Sequence, residues 1–121
     1  MAFGRDAAAE LWQAAADGRF RLEADAAREC AGYYDWFAQM MKRHQDDMRV
    51  LQRLDGFGGF ESAGQLQSGF ERKAGQAIEA LQKAEESALR MKAAILHAAG
   101  LIEEVDAASA AAIRVAGKEN I

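Results

Sequence analysis

Apolar residues recur along this chain at the three- and four-residue spacing of helices, and nowhere do they alternate with polar ones at the strand period of two. The pattern divides into three helical stretches. The first spans about Arg5 to Ala16, with Leu11, Trp12 and Ala15 on one side, and stops at the turn dipeptide Asp17-Gly18. Arg19 to Leu22 reads as a short extended connector. The second starts near Glu23 and runs to Leu54, where Asp55-Gly56 supplies the left-handed residue that closes helices. Ser62 is the expected N-cap of the third, which continues to Val115 before Gly117 ends it. At ~1.5 Å per residue the third helix would approach ~80 Å, with Gly64, Gly69, Gly75 and Gly100 as places to bend or fray.

Helices of this length need a packing partner, so the heptad register matters. In the third stretch one seam holds Ala74, Leu81, Ala88, Ile95 and Ile102. The alternate seam holds Phe70, Ala77, Ala84, Met91, Ala98, Val105 and Ala112, and neither carries a charge. In the second stretch the seam reads Cys30, Phe37, His44 and Leu51, with Tyr33, Met40 and Leu54 at the alternate position. Asp47 interrupts it. A flanking column of Ala27, Tyr34, Met41 and Met48 makes the stripe wider than one neighbouring helix covers. Leu89 and Leu96 also lie off the seam of the third helix. Tyr34, Met41, Met48, Leu89 and Leu96 are therefore expected to meet the first helix or a second chain. Trp36 joins them, because consecutive aromatics cannot share one side of a helix at ~100° per residue.

The pattern predicts an all-α fold. It is an antiparallel hairpin of two long helices with a short extra N-terminal helix, pairing into a helical bundle. Residues 1–22 form the N-terminal helix and connector, 23–115 the hairpin with its turn at 55–61, and 116–121 a flexible tail. In the turn, Phe57 and Phe60 flank Gly58 and Gly59. The glycines permit positive φ, and the two aromatics are expected to staple the tip onto both helices.

Composition narrows the function. There is no proline among the 121 residues, which permits long unbroken helices. The net charge is −4 with both signs mixed, which argues against a nucleic-acid footprint. The lone Cys30 excludes an intrachain disulfide and reads as a packed thiol. No apolar run approaches the ~20 residues of a membrane span. Met1 to Gln13 carries Asp6 and Glu10, so no cleaved hydrophobic leader is expected there. His44 on the seam reads as a buried histidine with a polar neighbour, and His97 as a surface residue. Neither has a Glu three residues earlier, as the di-iron bundles require, and no His/Cys set has zinc spacing. No catalytic, cofactor-binding or metal residues are expected, and the chain is read as a non-enzymatic interaction protein.

A helix, a tight aromatic-glycine turn and a second helix of similar length resemble the WXG-type small proteins of type VII (ESX) secretion systems, in an actinobacterial branch. Phe57-Gly58-Gly59 stands where that family has Trp-x-Gly, followed by Leu66, Phe70 and Lys73. The resemblance covers roughly Glu23 to Ile113. It implies a hairpin that pairs with another helical-hairpin protein, or with the helical N-terminal domain of a larger type VII effector. It also implies an export signal, Tyr-x-x-x-Asp/Glu, late in the second hairpin helix. Asp106 fits that signal, and Ile102 replaces its tyrosine. The function so implied is a chaperone or targeting partner, co-secreted or secreted itself, cytoplasmic before export and then secreted or cell-envelope associated. The alternative is an intracellular homodimeric helical bundle with a structural or regulatory role. No nucleic acid, cofactor or membrane span is expected.

Overall fold

The computed structural model describes residues 3–53 and 58–119. Four helices pack together: α1 (Phe3–Ala16), α2 (Ala24–Arg49), α3 (Glu61–Ala98) and α4 (Ile102–Glu119). A short 3₁₀ turn (Val50–Gln52) follows α2, and no strand occurs among the described residues. α3 is the helix against which each of the others lies.

Cross-links between side chains fix the directions. Lys92 Nζ donates to Asp35 Oδ1 at 2.9 Å, and Gln45 Nε2 donates to Glu85 Oε1 at 2.9 Å. Leu22 N–H donates to the Ala98 carbonyl at 3.1 Å. These pairings ascend α3 as they descend α2. α1 instead runs with α3: Arg5 meets Glu86, and Trp12 stacks on His97 with ring centroids 4.0 Å apart. Gly4 makes that approach possible, because a Cβ there would stand 2.8 Å from the Cβ of Ser87.

The third predicted helix is two helices. Gly100, at φ +70°, ends α3. Its N–H donates to the His97 carbonyl and that of Leu101 to Leu96, the paired bonds of a Schellman cap. The chain then reverses, and α4 lies back on α3 instead of prolonging it. The other three glycines stay inside α3. Val105, Ala108, Ala112 and Val115 follow helical spacing and are all buried. One core cluster joins Ala27 and Ala31 of α2 to Ile95 and Leu96 of α3 and Val105 of α4. The next joins Ala38 to Ala88, Leu89, Ala112 and Val115. Leu89 and Leu96 are thus covered by this chain itself, chiefly because α4 folds back, and neither is available to a partner.

The hairpin tip also departs from expectation. α3 starts at Glu61, with Phe60 at the N-cap position and no side-chain cap bond, so Ser62 lies inside the first turn. Phe60 is 80% exposed and staples nothing. Phe57 lies outside the described residues. Gly58 takes a positive φ of 86°, and Gly59 does not. From Glu61 to Lys73 no residue of α3 is buried, and Leu66 and Phe70 are exposed.

Candidate interaction surface

α2 carries two apolar stripes, and the structure reverses the roles expected of them. Ala27, Ala31, Tyr34, Ala38, Met41, Gln45 and Met48 recur at alternating spacings of four and three, which is a complete heptad register. Ala27, Ala31, Ala38 and Gln45 are buried, and Tyr34, Met41 and Met48 are half-buried. Tyr34 packs against both core clusters. Tyr34, Met41 and Met48, expected to face a partner, therefore lie on the inner side of α2. Much of the expected seam faces outward: Tyr33 is 68% exposed, and Phe37, His44 and Leu51 are exposed, while Cys30 and Met40 are half-buried and Leu54 lies outside the described residues. Trp36 is 61% exposed and lines the same groove as Tyr33 and Phe37.

The reversal has a steric cause. Alanines at 27, 31 and 38 let α2 approach α3 closely where they are buried, and Tyr34 between them is only half-buried. Gln45 fits the inner stripe because its amide donates to Glu85. A buried polar group costs little once hydrogen-bonded.

Around α3, the fourth side is open. Gly4 of α1 and the aromatic rim of α2 wall a groove of about 590 Å³, floored by Ala80, Ala84, Ser87 and Met91. Lys83 is the one charged side chain lining it. Tyr33, Trp36 and Phe37 form its outer lip. At ~150–250 Å² per aromatic, these three leave roughly 300–400 Å² of side chain in solvent. A contiguous patch of that size on a lone chain usually marks a contact surface.

A second groove, of about 440 Å³, separates α1 from α4 and includes Arg5, Trp12, Arg90 and Ser109. Two of these residues, Arg5 and Arg90, hold Glu86, a buried carboxylate that the sequence reading did not single out. Arg5 reaches one oxygen of Glu86 at 2.6 Å, and Arg90 reaches the same oxygen at 2.5 Å. Burial pushes the Glu86 carboxyl up, but the bonds and charges of Arg90 and Arg5 outweigh it and hold the group below its ordinary range. Its spacing from Arg90 was a legible sign of an i,i+4 pair. Its burial was not, since α1 supplies both the cover and Arg5. The site therefore pins α1 to α3.

The remaining candidates are dispersed. His44 is half in solvent, 3.9 Å from Asp47, and not the buried seam histidine expected. His97, expected on the surface, is half-buried under Trp12. Cys30 is half-buried against the first core cluster. Ile102 and Asp106 lie one turn apart on α4, and both are exposed. Among the described residues no three His, Cys, Asp or Glu side chains gather to hold a metal ion. No helix among them is long and apolar enough to cross a membrane.

Compared with protein families, curated proteins and solved structures, the chain matches none.

Proposed function

We propose that this chain is a non-enzymatic interaction protein that receives another helical chain on the open side of α3. The observation that carries the reading is the exposed lip of Tyr33, Trp36 and Phe37 beside a groove floored by alanine and serine. Helix-in-groove recognition uses such a pairing, with large side chains against a small-residue channel. Trp and Tyr are also the residues that most often carry interface energy.

The biological setting we propose is type VII secretion. In that setting α2 and α3 act as a WXG-like hairpin, and the protein serves as chaperone or targeting partner of a larger helical effector. It is cytoplasmic until it leaves with that partner. The aromatic-glycine turn and the exposed pair Ile102 and Asp106 support this reading. Co-expression with helical proteins of a type VII locus, followed by sizing, tests it. A stable complex weakened by Trp36→Ala is expected. No complex with any of them, together with unchanged release from a type VII mutant, would contradict it.

A further inference from the structure

We infer that the groove between α1 and α4 binds an organic phosphate, its head held by Arg5 and Arg90 and its body laid along the alanines beside Trp12. The site is separate from the face of α2 and α3 and does not depend on what that face receives.

The charge of the groove points to an anion. Arg5 and Arg90 both line it, and among the described residues no Asp or Glu does. Both guanidiniums converge on the same oxygen of Glu86, which is 3% exposed. Two cations beside one carboxylate leave positive charge in excess, in a chain whose net charge is −4. A cleft lined by one sign of charge concentrates ligands of the other.

The donors point to a phosphate. Arg90 reaches Glu86 through Nε, and Arg5 reaches it through Nη2. A guanidinium carries five N–H donors. Among the described residues neither arginine has a second acceptor, so the Nη1–Nη2 edge of Arg90 and the other N–H groups of Arg5 are left for a ligand. Glu86 is then a positioning residue that fixes both forks beside the groove. Such forks match phosphate oxygens with paired hydrogen bonds. Ser109 brings a hydroxyl from α4, on the opposite wall. Three donor groups suit the three outer oxygens of a phosphate monoester better than the two of a carboxylate.

The rest of the groove suits a body attached to that head. Its 440 Å³ lies in the range of small-molecule sites and exceeds what a phosphate group alone fills. Ala8, Ala93 and Trp12 line the remainder. Trp12 is stacked on His97 and 37% exposed, so a flat apolar body fits beside it. A ligand bound there joins α1 to α4, whereas α1 by itself lies against no helix but α3.

Fluorescence titration of the full chain carrying Trp36→Phe tests the site, because Trp12 is then the one tryptophan. Phenyl phosphate should change the Trp12 emission with a Kd of roughly 1 mM or below, at least about fivefold tighter than inorganic phosphate or benzoate. It should also raise the thermal midpoint, since a ligand of the folded state stabilises it by mass action. Arg90→Lys keeps a cation beside Glu86 but removes the fork, and should weaken binding at least about tenfold. Ser109→Asp leaves the Glu86 contacts alone, and should abolish binding with helix content unchanged. No response to phenyl phosphate at about 20 mM overturns the inference. So does binding that either substitution leaves unchanged. Benzoate as tight as phenyl phosphate overturns the phosphate head, and inorganic phosphate as tight overturns the apolar body.

Discussion

The two sides of α2 are made of unlike material. The inner side carries three alanines with Tyr34, Met41, Met48 and a hydrogen-bonded Gln45, while the outer side carries Tyr33, Trp36 and Phe37. By transfer free energy alone the outer set belongs inside, since each large side chain gains ~1.5–3 kcal/mol on burial. The difference teaches that this core is chosen by backbone approach. Alanine contacts let α2 and α4 each close on α3, and the larger side chains stay in solvent, where the proposed docking surface is built on them. The inner side holds the fold, and the outer side is surplus to it.

That contrast can be broken in graded ways. The largest effect is expected at Leu96, which is 2% exposed in the cluster joining α2, α3 and α4. Leu96→Ala should cost about 2–5 kcal/mol in urea unfolding. A loss below about 1 kcal/mol would show that α4 does not cover it. Ala38→Leu comes next, because it inserts bulk where the helices close. About 1–3 kcal/mol is expected, whereas the same change at exposed Ala80 should leave the monomer's unfolding midpoint in place.

Acid should act on the α1 contact. Glu86 titrates below its ordinary range in the folded chain, so the unfolded chain takes up that proton first as pH falls. Its contribution is whole above the ordinary carboxylate range and disappears as pH drops through the depressed folded value. Glu86→Gln should flatten that acid limb in a pH series of thermal melts. An unaltered limb would show that Arg5 and Arg90 do not hold the charge. The smallest effect is expected at Phe60: because it is 80% exposed, Phe60→Ala should stay within about 0.5 kcal/mol. A larger loss would mean that the aromatic packs on the tip after all.

Much of this fold is legible in the residues. The absence of proline, the helical period and Asp17-Gly18 define an all-helical chain and the end of α1. Gly100 is visible as a place where the third helix bends. Its left-handed φ and the full reversal into α4 are not, because Ile102 to Ala112 keeps the same heptad in either geometry. That reversal buries Leu89 and Leu96. The inner stripe of α2 is also present in the sequence at strict spacing. It is overshadowed by a neighbouring column of larger side chains, and hydrophobicity cannot choose between two adjacent stripes on one helix. The grouping of Trp36 with Tyr33 and Phe37 on one side is not legible, because the angular argument set Trp36 apart from their stripe. The burial of Glu86 is not, since it depends on where α1 docks.

Tyr33 and Tyr34 are neighbours in sequence that differ in burial: Tyr33 is mostly in solvent, whereas Tyr34 packs against both core clusters at the edge of the same groove. The most direct measurement is urea unfolding of Tyr33→Ala and Tyr34→Ala side by side. Tyr34→Ala should lose at least about 2 kcal/mol of stability. Tyr33→Ala should stay within about 0.5 kcal/mol of the parent. The opposite ranking, with Tyr33 carrying the stability and Tyr34 silent, would contradict the placement of the two faces and the docking surface built on it.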